Sequence, residues 1–141
     1  HEPKKSLRSL KRHPLPATVT WNGKGETMEK YIAAVEGHVD QQQYMSYLLI
    51  PELGTLWLKY GDHKKVLTIA KSKQFHHSVK HIDEDQFSND IAWLYGALKQ
   101  SLTARGTLIV KFYEKTCDGL TVWKQLLDTY RYGVDVDIYI L

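Results

Sequence analysis

The chain has a single cysteine, Cys117, and only four prolines in 141 residues. One thiol excludes an internal disulfide framework and any zinc site built on cysteines, and it fits a reducing compartment. No uninterrupted apolar run approaches the ~20 residues needed to span a bilayer, so a soluble domain with no membrane partner is expected. No apolar segment of the secretory type lies near the start; the chain opens with His1 rather than Met and so reads as a piece of a longer polypeptide. The length excludes two full cores at roughly 100 to 200 residues per domain. Internal repeats and low-complexity tracts are lacking as well. Hydrophobic residues at 43% and charged residues at 25% exclude a disordered or fibrous chain.

Excess charge is confined to one end. Residues 1–16 carry five bases (Lys4, Lys5, Arg8, Lys11 and Arg12) against Glu2, a net of +4. The rest carries fourteen bases and fifteen acids, a net of −1, so the body is not a basic nucleic-acid-binding domain in its own right. Residues 1–17 therefore read as a basic flexible arm, extended towards Pro14 and Pro16 because each proline disfavours helix at the residue before it. Its five bases are candidates for phosphate contact with RNA or DNA or for nuclear import, with a solvated tail as the alternative.

What is abundant is helical periodicity. Thr27 is placed to cap a helix carrying Met28, Tyr31, Ile32, Val35 and Val39 on one face. Residues 41–50 put Tyr44, Tyr47 and Leu48 at helical spacing, and Pro51 suits the first turn of the next helix. That helix carries Leu53, Leu56, Trp57 and Tyr60 and closes at Gly61. Asp62 can cap a further helix with Val66, Ile69 and Ala70, running towards Phe75 to Lys80. Asp83, Glu84 and Asp85 put negative charge where the helix dipole favours it, ahead of Phe87, Ile91, Leu94, Tyr95, Leu98 and Leu102. Leu108 to Tyr113 is too short for periodicity to settle, and its helical neighbours favour helix. Asp118 can cap a last helix with Leu120, Trp123, Leu127 and Tyr130 inward. The expected architecture is all-α, a compact bundle of about six helices over residues 18–133. Residues 134–141 form a linker or the truncated start of another domain. Trp57, Leu94, Leu98, Trp123, Leu127 and Tyr130 are core candidates, and Trp93 is read as structural as well.

Chemistry is sparse. His76, His77 and His81 are the densest titratable cluster. On an α-helix His77 and His81 would sit one turn apart and could grip zinc with His63 or Asp83, but the sequence lacks the glutamate of the HExxH pattern. A solvated basic face near Lys71, Lys73 and Lys80 is the preferred reading. Cys117 has no histidine beside it in sequence to activate the thiol. Asp135 and Asp137 make a DxD in a chain too short for the nucleotide-binding sheet that motif serves. The segment Gly23 to Gly25 lacks phosphate-loop spacing. No catalytic residue, cofactor or metal is therefore assigned.

Three segments, read in order, resemble the Gag polyprotein of copia-type LTR retrotransposons, in its capsid N-terminal region. They are Trp21 to Gln42 (WNGKGETMEKYIAAVEGHVDQQ), Gln86 to Leu102 (QFSNDIAWLYGALKQSL) and Asp118 to Gly133 (DGLTVWKQLLDTYRYG). The pattern is an aromatic-x-Gly turn (Trp21, Gly23), a helix ending in Leu98, Ser101 and Leu102, and a helix with Trp123, Leu126, Leu127 and Tyr130. The resemblance covers about residues 18–141 and lies in order and spacing. It implies a retroviral-capsid-like all-α fold and self-assembly into cytoplasmic virus-like particles around RNA, with no active site. Partners would be other copies of the chain, and RNA through the arm. The polar faces of the first two helices, with Lys30, Glu36, His38, Gln41, Gln42 and Gln43, are the expected contact surface. Two other classes stay open: a helical nucleic-acid-binding module that uses the arm, and a small metal-dependent enzyme that uses the histidines.

Overall fold

The computed structural model describes residues 12–24, 27–42 and 45–132, with side chains to 128. Among them are six α-helices: α1 (Met28–Asp40), α2 (Pro51–Tyr60), α3 (His63–Lys73), α4 (Glu84–Ser101), α5 (Thr107–Phe112) and α6 (Gly119–Tyr132). Short 3-10 turns at Ser46–Leu49, His77–His81 and Ala104–Gly106 connect them. The described residues contain no β-strand, only an isolated parallel bridge between Trp21 and Leu102. The protein is an all-α bundle, as its periodicity predicts.

The helix ends follow local chemistry. Pro51 occupies the first turn of α2, where its missing N–H costs nothing. Gly61 closes α2 in the left-handed conformation, and its N–H donates to the Trp57 carbonyl. Asp62, Asp83 and Asp118 each accept a backbone N–H from the third residue beyond, at Lys65, Gln86 and Thr121. Thr27 precedes α1 without capping it; its hydroxyl donates to the Lys24 carbonyl instead.

Two stretches differ from the expected helices. Ser46–Leu49 is a 3-10 turn, and Tyr44 lies outside the described residues. Helix α3 stops at Lys73 because Gln74 turns left-handed (φ 53°), and the chain resumes as the 3-10 turn His77–His81.

Helices α4 and α6 share the largest interface. A Cβ on Gly119 would lie 2.5 Å from the Tyr95 N and 2.6 Å from the Ile91 O, so only glycine lets α6 start against α4. Trp57, Leu94, Leu98, Trp123 and Leu127 are all buried in the core; the Tyr130 side chain lies outside the described residues. At roughly 1.5–3 kcal/mol per buried large side chain, this apolar interior dominates cohesion. Trp93 is half-buried and stacks on His38 with ring centroids 6.1 Å apart.

Candidate functional site

The Trp21 turn lands on the end of α4. The Trp21 N–H donates to the Ser101 carbonyl (2.9 Å), and the Thr103 N–H returns a bond to the Trp21 carbonyl (2.8 Å). The Trp21 ring stacks on Tyr31 of α1 at 5.9 Å. Ser101 donates to the Ala97 carbonyl (2.8 Å), which leaves its oxygen to accept from the Tyr31 hydroxyl at 2.6 Å. Burial pushes the Tyr31 phenol pKa well up, the Ser101 bond opposing. Gly23 (φ 94°) completes the junction, since a Cβ there would meet the Gly106 N at 2.9 Å. Two separate landmarks of the sequence pattern, aromatic-x-Gly and Leu-x-x-Ser-Leu, are thus one packing unit.

A second junction lies deeper. Asp90 of α4 is 1% exposed and accepts from the Tyr47 hydroxyl (2.7 Å), the Gln86 amide (2.7 Å) and the Arg12 Nε (3.2 Å). Desolvation raises the Asp90 pKa above the ordinary carboxylate value, outweighing the Tyr47, Arg12 and Gln86 contacts that lower it. The Arg12 side chain is only 12% exposed, and its Nη1 and Nη2 are buried with no hydrogen-bond partner among the described residues. Beside it, the His13 N–H donates to the Gln42 Oε1 (2.7 Å), the His13 carbonyl lies 2.9 Å from the His38 Nε2, and Leu15 is buried.

These contacts correct the reading of residues 1–17 as one free arm. From Arg12 onward the segment is docked on α1, α4 and the residues that follow α1. Arg12 is spent on Asp90 and is not presented to phosphate; Lys4, Lys5, Arg8 and Lys11 lie outside the described residues. Gln42 is buried at 7% exposure by its bond to His13, so it is withdrawn from the expected contact surface. Lys30, Glu36 and Gln41 are exposed, and His38 is half-buried against Trp93. Gln43 lies outside the described residues. Asp90 and Gln86 carry no role in the sequence reading, although Asp90 falls three residues after Phe87 and four before Leu94, within the apolar stripe. A carboxylate in such a stripe signals a buried polar network.

The histidines do not converge on a metal site among the described residues. A 3-10 turn has three residues per turn, so His77 and His81 point ~120° apart rather than along one face. His63 packs edge-on against Trp57 (4.9 Å) and Phe87 (5.7 Å). His76 caps the turn: its Nδ1 accepts the Ser78 N–H at 3.2 Å. Its pKa is lowered by burial and then by neighbouring His77, with Asp40 opposing. Among the described residues no group of three or more His, Cys, Asp or Glu side chains could hold a metal ion.

A groove of about 500 Å³ runs between α2, α4 and the start of α6, lined in part by Leu58, Ile91, Tyr113 and Cys117. Among the described residues its one carboxylate, Asp118, is consumed by the Trp57 indole N–H (2.9 Å) and by the backbone N–H and hydroxyl of Thr121. No helix among the described residues is long and apolar enough to cross a membrane. No protein-family model, curated protein or solved structure matches the chain.

Proposed function

We propose that this domain is a structural capsid unit of the Gag type found in copia-type LTR retrotransposons, with a retroviral-capsid-like fold, and that it self-assembles around RNA in cytoplasmic particles rather than catalysing a reaction. The observation that carries this reading is the junction of Trp21 and Gly23 with Ser101 and Leu102. Two of the three landmarks of the family pattern, the Trp21–Gly23 turn and the Ser101–Leu102 helix end, form one interlocked contact between the first turn and the longest helix.

Buried and half-buried polar groups support the same reading. Asp90, Asp118, Tyr31 and Ser101 each tie distant segments together, which makes the domain a rigid block. A shell built from such blocks uses many weak symmetric contacts, so that errors in assembly can be corrected. Lys30, Glu36 and Gln41 on the exposed side of α1 are the proposed contact residues, with His38 at their edge.

The test is electron microscopy of the full-length polypeptide encoded by the parent gene, with and without RNA. Regular shells or tubes are expected. A polypeptide that stays monomeric by sedimentation at high concentration overturns the proposal. Lys30→Glu combined with Gln41→Glu should suppress assembly while leaving the thermal midpoint unchanged.

A further inference from the structure

A second cavity, of about 370 Å³, opens between the C-terminal end of α3 and the turn His77–His81. It is lined by Lys71, Gln74, His76, His77, Val79 and Lys80. No carboxylate contributes to the lining among the described residues. The buried Val79 forms its floor, while Lys71, Gln74, His77 and Lys80 are exposed.

The helix dipole accounts for a cation at the end of α3, and so for Lys71. It does not account for Lys80, which comes from a different element and is brought to the same cavity. The rigid parts of the wall are fixed by backbone bonds. The N–H of left-handed Gln74 donates to the carbonyls of Ala70 and Lys71. The His76 ring is held through Nδ1 by Ser78, so its proton sits on Nε2, 3.4 Å from the Ser46 Oγ. The His77 ring lies against it with centroids 4.2 Å apart. Asp40 acts on His76 from the end of α1 but is not part of the lining.

We propose that this cavity binds phosphate groups, held between the Lys71 and Lys80 ammonium groups with donors from Gln74 and the histidine rings. Lysine serves phosphate as a point charge, and Lys71 and Lys80 border the cavity from separate elements with no acid among its described lining residues. The ligand chemistry is that of an oligophosphate, whether a free triphosphate or the backbone of RNA. This inference is independent of the assembly reading and survives its failure.

The experiment is an NMR titration that follows the histidine ring C–H resonances, using sodium triphosphate and, separately, a short oligouridylate. Both are added to the intact chain and to Lys4→Gln/Lys5→Gln/Arg8→Gln/Lys11→Gln, which silences the arm. Triphosphate should shift the His76 and His77 signals saturably and leave His38 on α1 unmoved. Lys71→Glu/Lys80→Glu should weaken the effect by roughly tenfold or more, with circular dichroism confirming an unchanged helical fold. If the oligouridylate gives the same shifts in the arm variant, the source is backbone phosphate; if triphosphate alone does so, the source is a free oligophosphate. Absent shifts, shifts equal at His38, or shifts unchanged in the lysine variant overturn the site.

Discussion

Arg12 reaches Asp90 across 78 positions of sequence, with its Nε 3.2 Å from a carboxylate oxygen that is almost wholly removed from water. Desolvating both ions costs much of what their attraction returns, and Arg12 keeps two buried nitrogens without partners among the described residues. The pair therefore fixes where residues 12–16 lie more than it adds to stability. Breaking it one-sidedly is a different matter. Asp90→Ala strands Arg12 and the Tyr47 hydroxyl together, and is expected to cost about 3–5 kcal/mol in urea unfolding, with Asp90→Asn costing less.

The same carboxyl has a pH signature. Because its folded pKa is raised, the folded state holds the proton longer than the unfolded chain. Its favourable contribution is complete below the ordinary value of 3.8 and is lost as pH rises through the folded value. Stability of the parent minus that of Asp90→Asn should fall with rising pH across that window. Arg12→Met should push the carboxyl pKa higher still, read by carboxyl carbon NMR; an unmoved titration would refute the coupling.

Tyr31 and Tyr47 should resist alkaline ionisation. Burial raises both phenols, and for Tyr47 the adjacent Asp90 charge adds to the shift. Their folded-state advantage is intact below 10 and is lost as pH climbs through the raised values. Absorbance titration should show exposed tyrosines ionising first and these two only as the fold opens. Tyr31→Phe and Tyr47→Phe should each remove amplitude from the late phase alone.

Gly119 and Gly37 make opposite predictions. Gly119→Ala drives a methyl into the backbone of α4 and should cost upwards of about 3 kcal/mol, at the severe end for overpacking. Gly37 sits in α1 with open space around it, so Gly37→Ala should stabilise by about 0.5–1 kcal/mol. Thermal unfolding of both variants decides the matter.

Asp118 serves as helix cap and indole acceptor at once. Asp118→Ala should cost about 1–3 kcal/mol, combining a lost cap with an unpaired buried indole, and should shift the Trp57 indole N–H resonance. Asp118→Asn keeps an acceptor for both and should retain most of the stability.

The caps were the most legible part of the chain. Pro51, Gly61, Asp62, Asp83 and Asp118 act within a few residues, so their roles can be read from neighbours alone. The core positions of α1, α4 and α6 followed from periodicity for the same reason. What could not be read was long-range. Nothing beside Arg12 in sequence says that its partner is Asp90, and nothing near Gln42 says that His13 will cover it. The turn His77–His81 escaped because Gln74 in a left-handed conformation is a departure from the usual glycine at that position. A basic run is also ambiguous at its edge: Arg12 shares the composition of residues 1–11 but takes part in the packing of the body.

The bridge between Trp21 and Leu102 has a consequence for synthesis. A ribosome adds about 5–20 residues per second, so Leu15 and Trp21 emerge several seconds before α4 exists to receive them. Throughout that interval the nascent polypeptide carries uncovered aromatic and aliphatic surface around Leu15 and Trp21, open to chaperones or to the same stretch on a neighbouring nascent chain.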